Sequence, residues 1–520
     1  MAAKKSNSTP LKLKFTWITA RKIVQAVALL GFTIFFVLAR RGGAAGAAPN
    51  LPMRLDPLTT ISFWLANHEF PTAILPGLAI AALAVITGRA WCGWLCPLGT
   101  ILDVITPKRR KSTFPEERVP QWWRTVKYFL TATTLLAAFF GSLSLLILDP
   151  LTIVYRTFAS ALWPALDRVI TAIEIALIQV PFLSGPVNHF DQLARPLLFP
   201  AQPVFYRGTV LIMLFFSGII ALNWIVPRFW CRYICPLGGF LGLISKFALL
   251  QREVLSECRS CGICSSRCPT GTIDPDRGYQ SDPAECTLCL ECLDSCPHSA
   301  VHFSSRLKRP EKQAYDPDRR AILTALLAAG TGAALAKVNP VTTRLETHLL
   351  RPPGTDNERI LAACIRCGAC IRACPTAALQ PALLESGLQG MWTPLLMPRL
   401  GFCDYSCNAC GQVCPVSAIP RLTLDEKRIQ VIGKAYINEQ RCIAWADHTT
   451  CIVCEEMCPV SEKAIQLEEI TVQEENGESR TVRLPHVIRE RCIGCGICEY
   501  KCPAGGEAAI RVYVKNNQLF

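Results

Sequence analysis

The sequence predicts a multidomain protein in which an α-helical membrane domain of four to five spans is followed by small α+β domains built around cysteines. Three observations support this prediction. Four long apolar stretches lie in the first half of the chain, 24 of the 28 cysteines lie between residues 258 and 502, and these 24 fall into six groups of four. The mean hydropathy is +0.28, and 51% of the residues are hydrophobic. This composition excludes a disordered chain, and a length of 520 residues excludes a small disulfide scaffold.

These features divide the chain into four predicted parts. Residues 1–250 form the membrane domain, which carries two Cys-x3-Cys-Pro motifs, and residues 251–310 carry two of the cysteine groups. Residues 311–345 form a linker with a fifth apolar segment, and residues 346–520 carry the other four groups. The net charge of +14 arises in the first 338 residues, which indicates membrane topology and contact with lipid rather than nucleic-acid binding.

Each of the four long apolar stretches approaches the ~20 residues that cross a hydrocarbon layer of ~30 Å. They occupy residues 23–39, 73–90, 127–148 and 208–226. Basic residues precede the first stretch and follow the second and the fourth, so the positive-inside rule places these ends in the cytoplasm. The loops 41–72 and 149–206 are then expected outside. The predicted location is therefore the inner (cytoplasmic) membrane, with a multi-pass topology.

Residues 161–182 leave two interpretations open. The segment is apolar but contains Asp167, Arg168 and Glu174. This mixture favours an amphipathic helix at the surface, and the alternative is an additional span.

The linker contains a weaker apolar segment at residues 321–338, directly preceded by Arg319 and Arg320. Two arginines before a mildly apolar stretch are typical of a twin-arginine export signal. A marginal membrane helix and a buried alanine-rich helix are the alternatives. An export signal predicts that the first ferredoxin-type part stays in the cytoplasm and that residues 340–520 lie in the periplasm.

The first two cysteine groups have the spacing Cys-x2-Cys-x2-Cys-x3-Cys-Pro, which is the ligand run of bacterial ferredoxins. In such a run three thiolates bind one [4Fe-4S] cluster and the fourth reaches the neighbouring cluster. A pair of zinc sites is the alternative, but zinc sites normally use two close pairs of ligands. The predicted ligand sets are Cys258, Cys261, Cys264 and Cys296 for one cluster, and Cys286, Cys289, Cys292 and Cys268 for the other.

The other four groups predict four more [4Fe-4S] clusters, which makes six clusters and 24 iron ligands. Two of these groups contain a stretched spacing, which enlarges a loop without removing a ligand. The third to sixth groups are Cys364, Cys367, Cys370 and Cys374; Cys403, Cys407, Cys410 and Cys414; Cys442, Cys451, Cys454 and Cys458; and Cys492, Cys495, Cys498 and Cys502. The fourth ligand is exchanged either between adjacent groups (third with fourth, fifth with sixth) or in a nested order (third with sixth, fourth with fifth). Six clusters in one chain indicate a conduit for single electrons, and no flavin, nicotinamide or covalent-haem motif accompanies them.

The remaining four cysteines lie in a motif that occurs twice. Trp-Cys-x3-Cys-Pro-Leu-Gly follows the second and the fourth apolar stretch, with Cys92 and Cys96 in one copy and Cys231 and Cys235 in the other. The membrane domain is therefore predicted to repeat a two-helix unit, and a pseudo-two-fold axis would bring the four thiols together. Within each motif the two cysteines are expected to share one helix face. Buried structural thiols, a four-thiolate metal or cluster site, and redox-active thiols beside a quinone pocket are the alternatives.

These motifs resemble known families. Paired Cys-x3-Cys-Pro motifs followed by two ferredoxin groups, over about residues 20–305, resemble NapH-type membrane quinol dehydrogenase subunits and the related NosR- and CcoG-type proteins. Residues 315–515 resemble NapG/MauM-type four-cluster proteins, with the spacing Cys-x3-Cys-x2-Cys-x3-Cys-Pro at Cys403 in second place. The chain thus looks like a NapH–NapG fusion.

This resemblance implies that the protein oxidises quinol from the membrane pool and delivers electrons to a periplasmic acceptor, such as a cytochrome or a reductase. Two other functions remain open: a NosR/CcoG-like activation or metal-site assembly factor, and a passive electron-transfer subunit of a larger complex. No residue that takes the quinol protons is assigned. Glu69 and Asp103, which lie near helix ends, are interpreted as solvated surface charges.

Overall fold

The helices of the first half of the chain occur in two copies of one order. The computed structural model describes residues 16–40, 50–69, 75–106, 120, 122–200, 204–305, 330, 349–473 and 479–514. In each copy a long helix is followed by a helix that begins at the proline of an Asp-Pro pair, then by a second long helix and by the Cys-x3-Cys-Pro motif. The repeat is therefore larger than the two-helix unit that the sequence predicts.

The first copy consists of α1 (Trp17–Leu38), α2 (Leu51–Arg54), α3 (Pro57–Asn67), α4 (Leu75–Thr87), α5 (Ala90–Trp94) and α6 (Pro97–Ile105). The second copy consists of α7 (Trp123–Phe139), α8 (Pro150–Thr157), α9 (Trp163–Ile178), α10 (Ser184–Leu193), α11 (Arg195–Leu198), α12 (Thr209–Ile225) and α13 (Pro236–Ser245). A 3-10 turn at Ser144–Leu148 and π-helical turns at Phe158–Leu162 and Trp230–Ile234 complete it. The inserted helices α9 to α11 distinguish the second copy from the first.

Among the described residues, α1 is the one helix that is both long and apolar enough to cross a membrane. The helices α4 and α12 are apolar but have 13 and 17 residues. The stretch 127–148 is not one helix, because α7 ends at Phe139 and Gly141 adopts a φ of 78° there, a left-handed conformation that glycine adopts without strain. The prediction of four to five spans is thus only partly supported.

Residues 161–182, interpreted as an amphipathic surface helix or an additional span, contain a helix whose exposed face is apolar. The helix α9 forms there, but its acidic side chains, Asp167 and Glu174, are buried and pair with Arg195. Its apolar side chains, such as Val169 and Ile173, are exposed instead. The reason is that Arg195 supplies a cation inside the protein, so the acidic side chains do not need water.

Residues 250–305 form a small α+β unit that contains the first two groups of four cysteines. We call each group of four a quartet and this unit the two-quartet domain. Its strands β1 (Leu250–Val254) and β4 (Val301–Ser305) pair antiparallel, with Leu250 opposite Ser305. Between them lie α14 (Ile263–Arg267), β2 (Ile273–Asp274), β3 (Gln280–Ser281) and α15 (Glu291–Asp294).

Residues 349–514 form the four-quartet domain, in which short helices alternate with three two-stranded sheets. The helices are α16 (Asn357–Ala363), α17 (Ala369–Ala373), α18 (Gly387–Gly390), α19 (Ala409–Gln412), α20 (Leu424–Arg428), α21 (Ile443–Ala446), α22 (Val453–Glu456) and α23 (Ile497–Lys501). The antiparallel pairs are β5 (Leu379–Pro381) with β6 (Pro394–Leu396), β7 (Lys434–Ile437) with β10 (Ile510–Tyr513), and β8 (Ile465–Gln473) with β9 (Ser479–Val487). The sheet of β7 and β10 joins the middle of this domain to its end.

The two cysteine-rich domains lie at opposite ends of α1. At its N-terminal end, Arg21 pairs with Glu291 of the two-quartet domain at 2.6 Å. At its C-terminal end, the guanidinium of Arg372 of the four-quartet domain lies 4.7 Å from the centre of the Phe36 ring. A helix of 22 residues is about 33 Å long, which matches the ~30 Å hydrocarbon layer.

The linker between the two domains is described at one residue. A β-carbon placed on Gly330 would lie 3.9 Å from Leu136 Cδ2, so this residue lies beside α7. The predicted export motif, Arg319 and Arg320, and the rest of the segment 321–338 lie outside the described residues.

Candidate iron–sulfur sites and the thiol group between the repeats

The two-quartet domain contains two cavities, of about 370 and 330 Å³, and each is lined by four cysteines. In both, three cysteines come from one quartet and the fourth from the other. The first cavity is lined by Cys258, Cys261, Cys264 and Cys296, and the second by Cys286, Cys289, Cys292 and Cys268. The fourth cysteine of each quartet therefore crosses to the neighbouring cavity.

Local backbone geometry explains how a quartet wraps a cavity. In three quartets a glycine follows the second cysteine, and it has a φ between 72° and 80° at Gly262, Gly368 and Gly496. A side chain is strained in this left-handed conformation, whereas glycine adopts it freely. The glycine reverses the loop and starts a helix of five residues, which ends directly before the fourth cysteine. The fourth thiol is thereby carried away from the first three.

In the four-quartet domain the cysteines group by exchange between adjacent quartets. Three cavities of about 400, 390 and 340 Å³ are lined by Cys364, Cys367, Cys370 and Cys414; by Cys442, Cys451, Cys454 and Cys502; and by Cys492, Cys495, Cys498 and Cys458. The thiol of Cys374 interacts electrostatically with Cys403, Cys407 and Cys410, which completes a fourth set. The nested exchange is not the arrangement of this structure.

The chemistry of these cavities fits a [4Fe-4S] cluster. Burial raises the pKa of Cys286 and Cys454 to about 12, so these thiols stay protonated at neutral pH unless a bound metal group displaces the proton. Backbone N–H groups also point at sulfur, as from Ala300 to Cys296 Sγ at 3.3 Å. Such amides stabilise the negative charge of a liganding thiolate.

A zinc ion does not fit the described cysteine groups. Within the described residues, no group of three or more cysteine, histidine or acidic side chains is arranged to hold a single metal ion. A zinc site needs its sulfur atoms within about 4 Å of one another, because each Zn–S bond is about 2.3 Å long. A cubane spreads its four ligands over four irons and accepts wider spacing.

The structure brings the four remaining cysteines together where the two helical repeats meet. Cys92, Cys96, Cys231 and Cys235 are all buried, at 8% exposure or less. The thiol of Cys96 interacts electrostatically with those of Cys92 and Cys231, and that of Cys235 interacts with the same two. We call these four side chains the thiol group.

The expectation that the two cysteines of one motif share a helix face is wrong. The first cysteine of each motif lies in a short helical turn, which ends before the second cysteine. Cys96 and Cys235 are instead the N-cap residues of new helices, α6 and α13, that begin at the prolines. Proline has no N–H for the preceding turn and favours an extended residue before it, so the helix breaks there.

Two arginines that sequence reasoning missed hold the thiol group in place. Arg89 and Arg228 each stand three residues before the first cysteine of a motif, so the repeat itself carried the signal. Each reaches across to the other copy: Arg89 Nη2 donates to the carbonyl of Cys231 at 3.2 Å, and Arg228 Nη1 to that of Cys92 at 3.4 Å. Two buried cations beside four thiols favour an anionic site.

Both arginines are paired with acidic side chains. Arg89 lies 3.2 Å from Glu285 of the two-quartet domain, which also pairs with Lys127. Arg228 Nη2 lies 2.6 Å from Asp103 Oδ2. The interpretation of Asp103 as a solvated surface charge is therefore wrong, because Arg228 draws it into the helical interior. Glu69 is exposed.

The second quartet of the two-quartet domain docks directly on the thiol group. Trp94 Nε1 donates to the carbonyl of Leu288 at 2.9 Å. A β-carbon on Gly93 would lie 2.2 Å from the carbonyl oxygen of Thr287, so glycine is required for this close approach. The thiol of Cys289 also interacts electrostatically with Arg228.

The third quartet and the segment after it are among the parts of the four-quartet domain that contact the helices. The guanidinium of Arg156 in α8 lies 3.9 Å from the centre of the Trp392 ring, and its Nη1 donates to the carbonyl of Arg366 at 3.4 Å. Tyr155 interacts electrostatically with Cys367, which lines the cavity of the third quartet. This cavity is therefore the one nearest to α8.

Known families match the same parts of the chain. A family described as a 4Fe-4S dicluster domain matches residues 256–312, and a 4Fe-4S binding domain matches residues 359–380 and 485–506. Another family of 4Fe-4S binding domains matches residues 70–115 and again residues 209–254, which contain the two halves of the thiol group. One family model thus matches both copies of the helical repeat.

Two relatives identify the family of the chain. The methylamine utilization ferredoxin-type protein MauM of Methylorubrum extorquens is 34% identical over 205 residues, which are 38% of this chain and 89% of MauM. The ferredoxin-type protein NapG of Haemophilus influenzae is 32% identical over 213 residues, which are 39% of this chain and 75% of NapG. The chain belongs to the MauM/NapG family of ferredoxin-type proteins.

As a member of the MauM/NapG family, this chain is an iron–sulfur electron-transfer protein that contains several 4Fe-4S domains. The predicted relationship to NapG and MauM is confirmed. The putative electron transport protein YccM of Escherichia coli is 27% identical over 290 residues, which are 54% of this chain and 68% of YccM. No solved structure matches the chain.

Proposed function

We propose that this MauM/NapG-family protein is a multi-pass quinol dehydrogenase that carries electrons from the membrane to a periplasmic acceptor through six [4Fe-4S] clusters. The observation that carries the proposal is the position of the two cysteine-rich domains at opposite ends of α1. When bound, each cluster accepts and donates one electron at a time. The 24 quartet cysteines are assigned as ligands in the six sets that the structure groups together.

Exposed apolar side chains support insertion of the helical part in the membrane. In α1, Val27 and Leu30 are more than 60% exposed, and in α12 the same holds for Val210 and Leu214. Soluble proteins rarely expose apolar surface this extensively. The helices α4, α7 and α12 are accordingly assigned to the membrane beside α1, as in a NapH-type subunit fused to a NapG-type protein.

The charges of the sequence supply the orientation. The two-quartet domain contacts the ends of the helices that the positive-inside rule places in the cytoplasm, through Arg21, Arg89 and Lys127. The four-quartet domain contacts α3 and α8, which lie within the two loops expected outside. The four-quartet domain is therefore assigned to the periplasm, where a cytochrome or a reductase would accept the electrons.

The thiol group is assigned as the redox site at the membrane edge. It lies beside the second quartet, and both buried arginines stabilise negative charge on it. Quinol oxidation requires a membrane-embedded site that receives electrons one at a time. Thiols alone accept no electron, so the thiol group would hold a redox-active metal or iron–sulfur group, as the match of both its halves to a 4Fe-4S binding family supports.

Purified protein in detergent tests the proposed function. A menaquinol or ubiquinol analogue should reduce the clusters, as followed by the bleaching of their visible absorption and by EPR signals of reduced clusters. Dithionite is the control that shows the clusters are present and reducible. Reduction by dithionite but by neither quinol would assign the quinone chemistry to a partner protein and contradict the proposal.

A further inference from the structure

A second motif is repeated in the helical part of the chain. The sequence Leu-Asp-Pro-Leu-Thr occurs at residues 55–59 and again at residues 148–152. In both copies the aspartate is the N-cap of a helix, Asp56 for α3 and Asp149 for α8. Each carboxylate accepts a hydrogen bond from the backbone N–H two residues further on, at 2.9 Å. Helix capping therefore explains why each copy has a polar side chain directly before the proline.

The two capping carboxyl groups meet in the interior of the protein. Asp56 is 1% exposed and Asp149 is 0% exposed, and the two carboxyl groups interact with each other. Asp149 Oδ1 receives no N–H or O–H donor from the other described residues, so the carboxyl of Asp56 is the partner that remains. Two adjacent buried carboxyl groups cannot both be ionised, so the pair holds a shared proton.

Helix capping alone does not account for this arrangement. Asparagine and serine cap helices as well as aspartate does, and neither brings a negative charge into the interior. A buried pair of acids costs stability, and a use for its proton would explain why the chain carries this cost.

The carboxyl pair lies between two cysteine sites. Asp149 interacts electrostatically with the thiols of Cys96 in α6 and Cys235 in α13, which belong to the thiol group. On the other side it interacts with Arg156, which stands at the far end of α8, about 10 Å along the helix axis. Arg156 interacts in turn with Cys367 of the third quartet. The thiols, the guanidinium and the two carboxyls are the titratable groups that face one another here.

We propose that Asp56 and Asp149 form a redox-linked proton site, which takes up a proton when an electron occupies the neighbouring cysteine sites and releases it when the electron leaves. This inference rests on the proposed function, which supplies the electron from a quinol. The added electron brings one negative charge close to a buried pair that already holds one. Since interactions between charges are strong where water is excluded, protonation of the second carboxylate compensates that charge.

The step is balanced in charge and in atoms. One electron from the quinol arrives at a metal group that the cysteines would hold, and one proton from hydronium binds the ionised carboxylate, so that both members of the pair become carboxylic acids. An O–H bond of hydronium breaks as the carboxyl O–H bond forms. On release the carboxyl O–H bond breaks and water takes up the proton.

Asparagine substitution distinguishes the helix-capping role of the two aspartates from their role in binding a proton. Asp56→Asn and Asp149→Asn keep a helix-capping side chain but remove the shared proton. The matched control is Asp356→Asn, because Asp356 caps α16 in the same way, through a bond from the Arg359 N–H at 2.7 Å, and lies far from the pair in sequence. All four proteins are prepared with their clusters and checked for equal iron content.

Two measurements test the proposal. In electrochemical titrations followed by EPR, at least one potential of the unsubstituted protein should fall as the pH rises, by at most about 59 mV for each tenfold change in proton concentration, the value for one electron. Both pair variants should lose this dependence, and Asp356→Asn should keep it. Reduced-minus-oxidised infrared spectra should show a carboxylic-acid band that reduction creates in the unsubstituted protein and that both pair variants lack.

Potentials that do not depend on pH in the unsubstituted protein, or a dependence that survives both substitutions, would overturn the proposal. If either substitution lowers the iron content, the infrared experiment on the unsubstituted protein becomes the test of the proposal. A carboxyl band that does not respond to reduction would then overturn the proposal. The electrons in these titrations come from chemical mediators. A failure here is therefore distinct from a failure of quinol to reduce the protein.

Discussion

Replacing Cys414 with serine should remove the cluster held by Cys364, Cys367 and Cys370 and leave the cluster of the fourth quartet in place. The reason is that Cys414 lines the cavity of the third quartet, although it ends the fourth. Loss of one ligand from a four-thiolate site should release about four iron atoms per protein. Iron and sulfide analysis of the purified variant measures this loss.

Double substitutions give the sharper form of this prediction. Cys367→Ser combined with Cys414→Ser should lose no more iron than either change alone, because both act on one site. Cys367→Ser combined with Cys374→Ser should lose about twice as much, because Cys374 belongs to the set of Cys403. A loss of about eight iron atoms in the first combination would place Cys367 and Cys414 in different sites and contradict the adjacent exchange.

Replacing Cys231 with serine should slow the reduction of the protein by quinol at least about 100-fold, which corresponds to about 2.7 kcal/mol of activation free energy. The thiol group is the cysteine site enclosed by the helices, and the variant removes one of its members while the quartet cysteines stay intact. Stopped-flow absorption with a quinol analogue measures the rate. Reduction by dithionite should be retained at the quartet sites.

Leu98→Met is the matched control for this variant. Leu98 is fully buried in the first turn of α6, next to Cys96, and methionine conserves its volume. The control should be reduced by quinol at the rate of the unsubstituted protein. Full-rate reduction of Cys231→Ser would remove the thiol group from the proposed function.

The ligand runs could be predicted from the sequence because their geometry is local. The spacing of Cys258, Cys261 and Cys264 alone indicates a loop that wraps one cluster. The origin of the fourth cysteine depends on how quartets pack, so the sequence left two assignments open for Cys374 and Cys414, and the packing of the quartets distinguishes them. The regular spacing within a quartet contains no information about its neighbour.

The polar interior of the helical part was the least predictable feature. The sequence alone suggests that Asp103 is a surface charge, but in the structure it pairs with Arg228, which lies 125 positions further along the chain. Arg89 and Arg228 were detectable in principle, because both occupy the same position in the repeated motif. The pair of Asp56 and Asp149 was detectable in the same way, but only the structure shows that the two carboxyls meet.

Sealed lipid vesicles test directly whether the protein transfers electrons between the two faces of a membrane. The protein is inserted in one orientation, a quinol analogue is dissolved in the bilayer, and an electron acceptor that cannot cross the membrane is placed on the side of the four-quartet domain. We expect the unsubstituted protein to reduce this acceptor, and we expect the acceptor to stay oxidised with Cys231→Ser. Reduction that occurs only when the acceptor is on the side of the two-quartet domain would contradict this expectation.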